Sequence, residues 1–128
     1  MTVARQRLGR SVEEAVARDL TAAGWEVLAR NARVSEVRGE IDLVARDGAA
    51  LVFVEVKARR EESRLGPETP AMAVGRRKQA KLRSLAVAWL RDNEGRIPPH
   101  RELRFDVVGV RVDAAGRPTE WEHHRAAF

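Results

Sequence analysis

The sequence predicts an α/β domain whose elements follow the order helix, strand, strand, strand, helix, strand. Two apolar runs of strand length lie on either side of Asp47-Gly48, and Asp-Gly between β-rich runs is a strong hairpin signal because Gly accepts positive φ. A later stretch has apolar residues at helical spacing, namely Leu82, Leu85, Ala86, Trp89 and Leu90. At 128 residues the chain has the size of one domain with its own core.

The composition excludes several classes of protein. There is no cysteine, which excludes a disulfide framework and a thiolate metal site. No apolar run approaches the roughly 20 residues that span a bilayer, and no secretory signal is recognisable near Met1, so we expect a cytoplasmic protein. Lys and Arg number 24 against 19 Asp and Glu, a formal charge of +5 that favours a polyanionic partner.

The first helix is predicted to run from Ser11 to about Ala23. Ser11 is a candidate N-cap, Glu14 can close a capping box with it, and Gly24 is a candidate stop. The inward stripe of this helix consists of Glu13, Val16, Ala17 and Leu20. A carboxylate on an inward stripe is a candidate functional group. The alternative is that Glu13 only interacts with the helix dipole in the first turn.

The predicted hairpin, Gly39–Arg59, carries Asp42 inside its first strand and Glu55 and Lys57 inside its second. Ionisable groups in strands are costly to bury unless they are paired or bind a metal. Strand periodicity puts Glu55 and Lys57 on one face, and an even-numbered loop puts Asp42 opposite Phe53 or Glu55 on that same face. A three-residue loop or a bulge would turn Asp42 to the valine face instead.

A charged loop, Arg59–Pro70, follows the hairpin and is the segment we expect to be most flexible. Thr69-Pro70 suits a helix start, and the second helix is predicted over Ala71–Arg91. Its N-terminal half is basic, with Arg76, Arg77, Lys78, Lys81 and Arg83. Together with the positive end of the helix, these residues predict a contact with a phosphate backbone. The alternative is an ordinary solvated face.

Two more strands are predicted, over Trp25–Asn31 and Leu103–Val112. Asp106 in the second of these is expected to be structural. We expect a single domain over residues 1–128, with its core over 9–112 and a tail over 113–128 that holds at most a small strand. His123 and His124 in this tail are expected to be exposed, because neighbours on a strand point to opposite faces and cannot share a metal.

The charged residues of the hairpin predict a site for phosphodiester hydrolysis. Asp42 and Glu55 can hold Mg²⁺ or Mn²⁺ through oxygen, with the carbonyl of Val56 as a further ligand. Such a metal polarises a phosphate and lowers the pKa of a bound water. Lys57 can orient that water or stabilise developing charge, and Glu13 can complete the site. Lysine is rare in this chain, at positions 57, 78 and 81 only, which favours a specific role for an ammonium at position 57.

The spacing D-x₁₂-E-x-K of Asp42, Glu55 and Lys57 resembles that of the PD-(D/E)XK nuclease superfamily. The chain is similar in particular to the YraN family of bacterial proteins, which are related to archaeal Holliday-junction resolvases. The matching segments are Arg30-Asn31, Gly39–Val44, Leu51–Arg59, Ala73–Gln79, Arg104–Val108 and the closing Ala127-Phe128. Glu13 matches less closely, because Val12 precedes it where the family usually has Gly.

The resemblance implies a restriction endonuclease-like αβββαβ core, with a central mixed sheet flanked by helices. It implies a metal-dependent, endonuclease-like fold but no particular substrate. Our leading hypothesis is Mg²⁺- or Mn²⁺-dependent cutting of DNA, branched DNA included, by a protein that can form a homodimer as the related resolvases do. Gln79 matches a polar residue that supports the site from the second core helix, and Lys78 is a weaker match. Two alternatives remain. One is a non-catalytic nucleic-acid-binding module, and the other is an interaction protein in which Asp42, Glu55 and Lys57 form only an ion-pair network.

Overall fold

A computed structural model describes residues 3–60 and 74–128 of the chain, with side chains described from residue 9 onward. The elements are α1 (Val3–Ala22), β1 (Glu26–Ala32), β2 (Ile41–Asp47), β3 (Ala50–Arg60), α2 (Arg76–Asp92), β4 (Glu102–Val112) and β5 (Pro118–His124). This order confirms the predicted α/β class and adds a fifth strand from the segment after Val112.

The five strands form one mixed sheet in the order β1-β2-β3-β4-β5. The β1–β2, β2–β3 and β4–β5 pairs are antiparallel, whereas β3 and β4 are parallel. A parallel pair needs a crossover connection, and α2 lies in the segment that connects β3 to β4. Leu51, Val52, Phe53 and Val54 at the centre of β3 are all buried, as expected for a strand covered on both faces.

The two helices cover opposite faces of the sheet, each over its own apolar cluster. The α1-side cluster is formed by Val12, Val16, Ala17 and Leu20 of α1 with residues that include Leu43, Val52, Val54, Val108 and Val110. The α2-side cluster is formed by Leu82, Leu85, Ala86 and Trp89 of α2 with residues that include Ala32, Ile41, Val44, Phe53 and Val107. The sheet is therefore the middle layer of three, as the resemblance implied.

Helix α1 begins at Val3, so the prediction that Ser11 caps its N-terminus and forms a capping box with Glu14 is wrong. The preceding segment contains no proline and a single glycine, Gly9, and one glycine inside a helix costs only about 1 kcal/mol. The predicted C-terminal stop is confirmed. Gly24 has φ 95°, and the N–H of Trp25 donates to the carbonyl of Leu20 at 3.0 Å, which closes the last turn.

The β2–β3 connection is a two-residue loop. Asp47 pairs with Ala50, which leaves Gly48 and Ala49 between the strands, and Gly48 has φ 58°. Gly at this position allows the left-handed backbone of a tight hairpin without a Cβ clash. Of the loop lengths that the sequence left open, the even-numbered one is present, and the ladder that follows pairs Val44 with Phe53.

Helix α2 begins later than predicted. Val74 and Gly75 are not helical, and Gly75 is the N-cap with an extended backbone, so the prediction of a helix from Ala71 is wrong at these two positions. Val74 is buried in the α2-side cluster, and glycine is a poor helix former, so the chain packs on the sheet before it turns into the helix. The predicted Thr69-Pro70 start and most of the predicted flexible loop lie outside the described residues.

Strand β5 and the C-terminal residues pack back onto β4. Asp106 is fully buried and accepts hydrogen bonds from Arg104 Nε at 2.8 Å and from the Ala126 N–H at 3.0 Å. His123 Nε2 lies 2.8 Å from the same carboxylate, and its side chain is 25% exposed. Asp106 is structural, as predicted. His123 is exposed as a residue, as predicted, although the antiparallel pairing of β5 turns its ring onto the buried carboxylate. His124, also predicted to be exposed, is half-buried.

The last residue also belongs to the core. The ring of Phe128 stacks on Phe105 with centroids 5.1 Å apart, and the guanidinium of Arg83 lies over both rings. The N–H of Ala127 donates to the carbonyl of Phe105 at 2.8 Å, which fixes the C-terminal segment against β4. No helix among the described residues is both long and apolar enough to cross a membrane.

We predict that Asp106→Asn lowers the free energy of unfolding by about 3 kcal/mol, because it removes the fully buried carboxylate to which Arg104, His123 and the Ala126 N–H are all hydrogen-bonded, although Arg104 keeps its contact with Asp47 at 3.0 Å. Urea denaturation at pH 7 measures the change. The matched control is Glu120→Gln, which removes an exposed ion pair to Arg111 (3.3 Å) and should cost less than about 1 kcal/mol. Equal losses in the two variants would contradict a structural role for the Asp106 network.

Candidate active site

The two strand carboxylates meet at the open end of the β2–β3 hairpin. The backbone ladder of this hairpin extends from Asp47–Ala50 to Leu43–Val54, and the same ladder continued by one step puts Asp42 opposite Glu55. Beyond the Leu43–Val54 pair a side chain replaces a backbone carbonyl as the acceptor. The backbone N–H of Val56 donates to Asp42 Oδ2 at 2.8 Å. The structure therefore brings Asp42 next to the Glu55-Val56-Lys57 segment.

Glu55 is the centre of an ion-pair group with two lysines. Its Oε1 lies 3.8 Å from Lys57 Nζ, on the same strand, and 3.7 Å from Lys78 Nζ, on α2. The Glu55 side chain is only 7% exposed, whereas the side chains of Lys57 and Lys78 are 34% and 46% exposed. The ammonium groups thus face solvent and the carboxylate is buried. Its second oxygen, Oε2, is buried and has no hydrogen-bond partner among the described residues.

Helix α1 contributes Glu13 to the same site. The charge of the neighbouring Asp42 contributes to the raised pKa of this carboxyl group, and its Oε2 is buried with no hydrogen-bond partner in the described part of the chain. Because α1 begins at Val3, Glu13 is far from the first turn. An interaction with the helix dipole therefore does not explain this carboxylate, since that effect is limited to the terminal turn.

Burial raises the pKa of all three carboxyl groups. It raises the pKa of Glu13 to about 7, with a further contribution from the neighbouring charge of Asp42. Burial and the same Asp42 charge raise the pKa of Glu55 to about 7, although Lys78 and Lys57 oppose the shift. Burial also raises the pKa of Asp42, and the hydrogen bond from the Val56 N–H offsets part of this effect. The site holds more negative charge than its two lysines neutralise.

The donor set fits a hard cation. Mg²⁺ and Mn²⁺ prefer carboxylate and carbonyl oxygens, and two carboxylate oxygens in this site are buried without a hydrogen-bond partner among the described residues. Over residues 3–60 and 74–128, no three His, Cys, Asp or Glu side chains form a ready-made metal cluster. The predicted ligands Asp42 and Glu55 and the carbonyl of Val56 lie on adjacent strands at the open end of the β2–β3 hairpin.

Neighbouring residues on α2 differ in their relation to the site. Gln79, the predicted supporting residue, donates from its side-chain amide to the carbonyl of Val74 at 2.8 Å and so closes the N-terminus of the helix. Lys78, the weaker match, is the residue that contacts Glu55. Successive helix residues point about 100° apart, so only the position of the helix on the sheet decides between them. The one available signal was the rarity of lysine in this chain.

The predicted basic residues form an exposed surface at the start of α2. Arg76, Arg77, Lys78 and Lys81 are all exposed, and no acidic residue lies in the first turn. Arg83 is instead engaged with the rings of Phe105 and Phe128. The positive end of the helix adds to the charge of the first turn, so this surface, which continues through Lys78 into the carboxylate site, is suited to a polyanion.

The model of the uncharacterised protein family UPF0102 matches residues 12–110. This chain belongs to the UPF0102 family. A UPF0102 protein of Nocardia farcinica is 44% identical over 124 residues, which are 97% of this chain and 91% of the relative. A UPF0102 protein of Streptomyces griseus is 49% identical over 122 residues, or 95% and 96% of the two chains. One from Rhodococcus opacus is 46% identical over 121 residues, or 94% and 95%.

We predict that the free energy of unfolding falls as the pH rises from about 4.5 to about 7 in the absence of divalent cations. The raised pKa values of Glu13 and Glu55 mean that the folded protein binds protons more tightly than the unfolded chain. Their stabilising contribution is therefore complete below the unfolded value near 4.5 and is lost through about 7, with a total change on the order of 2 kcal/mol. Chemical denaturation in EDTA across this range measures it.

Glu13→Gln and Glu55→Gln should each reduce this pH dependence, because Gln resembles the protonated acid. Glu120→Gln, on the exposed part of β5, should leave it unchanged. Asp106 does not contribute to the pH dependence in this range. Hydrogen bonds from His123 and Arg104 outweigh its burial and hold its pKa below the usual value, so its contribution to stability changes only at lower pH. A wild-type stability that is constant between pH 4.5 and 7 would contradict the buried carboxyl cluster.

Proposed function

We propose that this protein is a metal-dependent endonuclease of the PD-(D/E)XK superfamily that hydrolyses phosphodiester bonds in DNA. The observation that carries the proposal is the meeting of Asp42 and Glu55 at the open end of the hairpin, beside Lys57 and with buried carboxylate oxygens that lack hydrogen-bond partners among the described residues. A purely structural ion-pair group would be expected to satisfy such oxygens, because unsatisfied buried polar atoms are destabilising.

Asp42, Glu55 and the Val56 carbonyl are the residues that would hold Mg²⁺ or Mn²⁺. When bound, the cation supplies Lewis acidity toward a phosphate oxygen and a more acidic water. It would also remove a defect of the metal-free site, which is the surplus of buried negative charge over the two lysines. The raised pKa values of Glu55 and Asp42 come first from burial, to which the Asp42 charge adds in the case of Glu55. Cation binding should therefore stabilise the fold as well as serve the reaction.

The side chains around the carboxylates have separate tasks in this proposal. The ammonium groups of Lys57 and Lys78 are part-exposed and lie on the solvent side of Glu55, where they can bind a phosphate and stabilise charge that develops on its oxygens. Glu13 has a pKa of about 7, so near neutral pH it can accept a proton from water or give one to a leaving oxygen. Gln79 holds the start of α2 in place and so positions Lys78.

The exposed surface of Arg76, Arg77, Lys78 and Lys81 would bind the DNA backbone next to the cutting site. The resemblance to resolvases favours branched DNA as substrate and a homodimer as the active species, since a symmetric pair of sites supplies two cuts. Chromosomal DNA as the target is consistent with a cytoplasmic protein. Among the residues described, this basic surface supports binding whether or not the site is active.

The second candidate is a non-catalytic DNA-binding module that keeps the fold. Its supporting observation is that Lys57 and Lys78 both pair with Glu55, so that two of the proposed active groups also neutralise a buried carboxylate. The module would bind DNA through the basic surface of α2 and would not turn over. The two candidates differ in the expected effect of Lys57, which is required for cutting in the first and unimportant for binding in the second.

We predict that the purified protein cuts branched DNA in Mg²⁺ or Mn²⁺ and that Lys57→Ala and Asp42→Asn each lower the rate at least about 100-fold, because each removes charge from the reacting centre. Gel assays with branched, flapped, linear and single-stranded substrates across a metal titration measure the rates. Loss of cutting in the site variants, purified in parallel with the wild type, excludes contaminating nuclease, and Glu120→Gln should cut like the wild type, which shows that the loss is specific to the site. Intact substrates under all conditions would refute the enzyme.

We predict that DNA affinity is strongly salt-dependent and that replacing Arg76, Arg77 and Lys81 together by alanine makes the negative slope of log K against log salt shallower by up to about 3, since each lost phosphate contact contributes about 0.9. Fluorescence anisotropy without metal measures the slope. Lys57→Ala should change it by less than about 1. An unchanged slope in the triple variant would show that the DNA binds elsewhere.

A further inference from the structure

Asn31, in β1, has an unusual backbone conformation that the proposed function does not use. Its φ is 48°, and among the described residues only Ala126 is a further non-glycine residue with positive φ. A left-handed conformation is unfavourable for residues with a Cβ, although Asn tolerates it better than most. Such backbone outliers concentrate at functional sites, where the surrounding structure holds them in place.

Asn31 lies directly across the sheet from Asp42. In the β1–β2 ladder Arg30 pairs with Leu43 and Ala32 pairs with Ile41, so the residue between them, Asn31, faces Asp42. The outlier is thus on the strand next to the proposed metal ligand, at the same level of the sheet.

Both strands lose their regular alternation at this pair. Leu43 packs in the α1-side cluster, whereas Ile41, two residues earlier, packs in the α2-side cluster. On β1, Ala29 packs against the α2-side cluster and Ala32, three residues later, belongs to it. In regular strands residues two apart share a face and residues three apart do not. The paired ends of β1 and β2 are therefore twisted relative to the rest of the two strands, and the twist is located at Asn31 and Asp42.

We propose that Asn31 is a positioning residue whose left-handed backbone turns the paired ends of β1 and β2 and so directs the Asp42 carboxylate to the Val56 N–H, between Glu13 and Glu55. A local twist that re-aims a side chain is a known use of strand irregularities beside active sites. The proposal rests on the proposed function in one respect, which is that Asp42 is a metal ligand and not only a hydrogen-bond acceptor.

The test compares Asn31→Gly, which permits positive φ, with Asn31→Ala, which disfavours it. The direct readout is the amide of Val56, whose chemical shift and hydrogen exchange report the bond to Asp42 at 2.8 Å. The second readout is Mn²⁺ affinity. We expect Asn31→Gly to keep both, and Asn31→Ala to shift the Val56 amide and to weaken Mn²⁺ binding by roughly 10- to 100-fold, as is typical for residues that orient a metal ligand.

The matched control is Gly116→Ala, which imposes similar backbone strain in the β4–β5 turn, where Gly116 has φ 81°. It should leave the Val56 amide and the Mn²⁺ affinity unchanged. If Asn31→Ala does not fold, Asn31→Ser replaces it, since Ser has a comparable backbone penalty and keeps a polar side chain. Three results overturn the proposal: an unchanged Val56 amide in the folded Asn31→Ala or Asn31→Ser variant, an equal loss in Asn31→Gly, or an equal effect of Gly116→Ala.

The two proposals can fail separately. If the wild type cuts DNA and the Asn31→Ala variant keeps its Val56 amide and its Mn²⁺ affinity, the positioning role is refuted and the nuclease stands. If the wild type neither binds Mn²⁺ nor cuts DNA, the nuclease is refuted, and the Val56 amide still decides whether Asn31 directs Asp42.

Discussion

The hydrogen bond from the Val56 N–H to Asp42 joins the scaffold to the candidate site. It lies where the β2–β3 backbone ladder stops, so a side chain satisfies an N–H that a longer ladder would have satisfied with a carbonyl. The same bond fixes the Asp42 carboxylate beside Glu55. The ladder, in turn, depends on the two-residue loop at Gly48, because a slip by one residue would turn Asp42 to the other face of the sheet.

The candidate site lowers the free energy of unfolding of the domain. Three carboxyl groups with raised pKa values lie together at the open end of the β2–β3 hairpin, and two of their oxygens are buried without hydrogen bonds among the described residues. The sheet bears this cost because β3 is otherwise apolar and covered on both faces. On the neighbouring strand Asp106, which pairs with Val54, is also buried, but hydrogen bonds with Arg104, His123 and the Ala126 N–H satisfy its oxygens. The two sites differ in the hydrogen bonding of their carboxylate oxygens. Those of Asp106 have partners, as in a structural group, whereas the unsatisfied oxygens of Glu13 and Glu55 are suited to bind a ligand.

Local signals predicted those parts of the fold that depend on a few adjacent residues. Gly48 gave the hairpin register and Gly24 the end of α1, since each backbone requirement is specific to glycine. The start of α1 was missed because Ser11 has the sequence of a cap, and nothing nearby shows that the helix continues before it. The start of α2 was missed because Val74 joins the core only once the sheet exists.

Site residues that depend on the packing of distant elements were harder to predict. The choice between Lys78 and Gln79 needs the rotation of α2 on the sheet, and the contact of His123 with Asp106 needs the pairing of β5 with β4. Asn31 gives no sequence signal for its role, because its conformation has a meaning only beside Asp42. The carboxylates and Lys57 were predictable because charged residues inside apolar strands are conspicuous in the sequence itself.

The rare lysines of this arginine-rich chain also follow from the needs of such a site. Lys57 and Lys78 both lie near Glu55, and Lys81 passes over Gly39, where an added Cβ would come within 3.4 Å of its Cε atom. An arginine would form two parallel hydrogen bonds with the Glu55 carboxylate and so occupy both oxygens, including the one that the proposed cation would bind. An ammonium at 3.7–3.8 Å attracts one oxygen and leaves the other free. Lysine thus lowers the cost of burying Glu55 and keeps the site open to a cation.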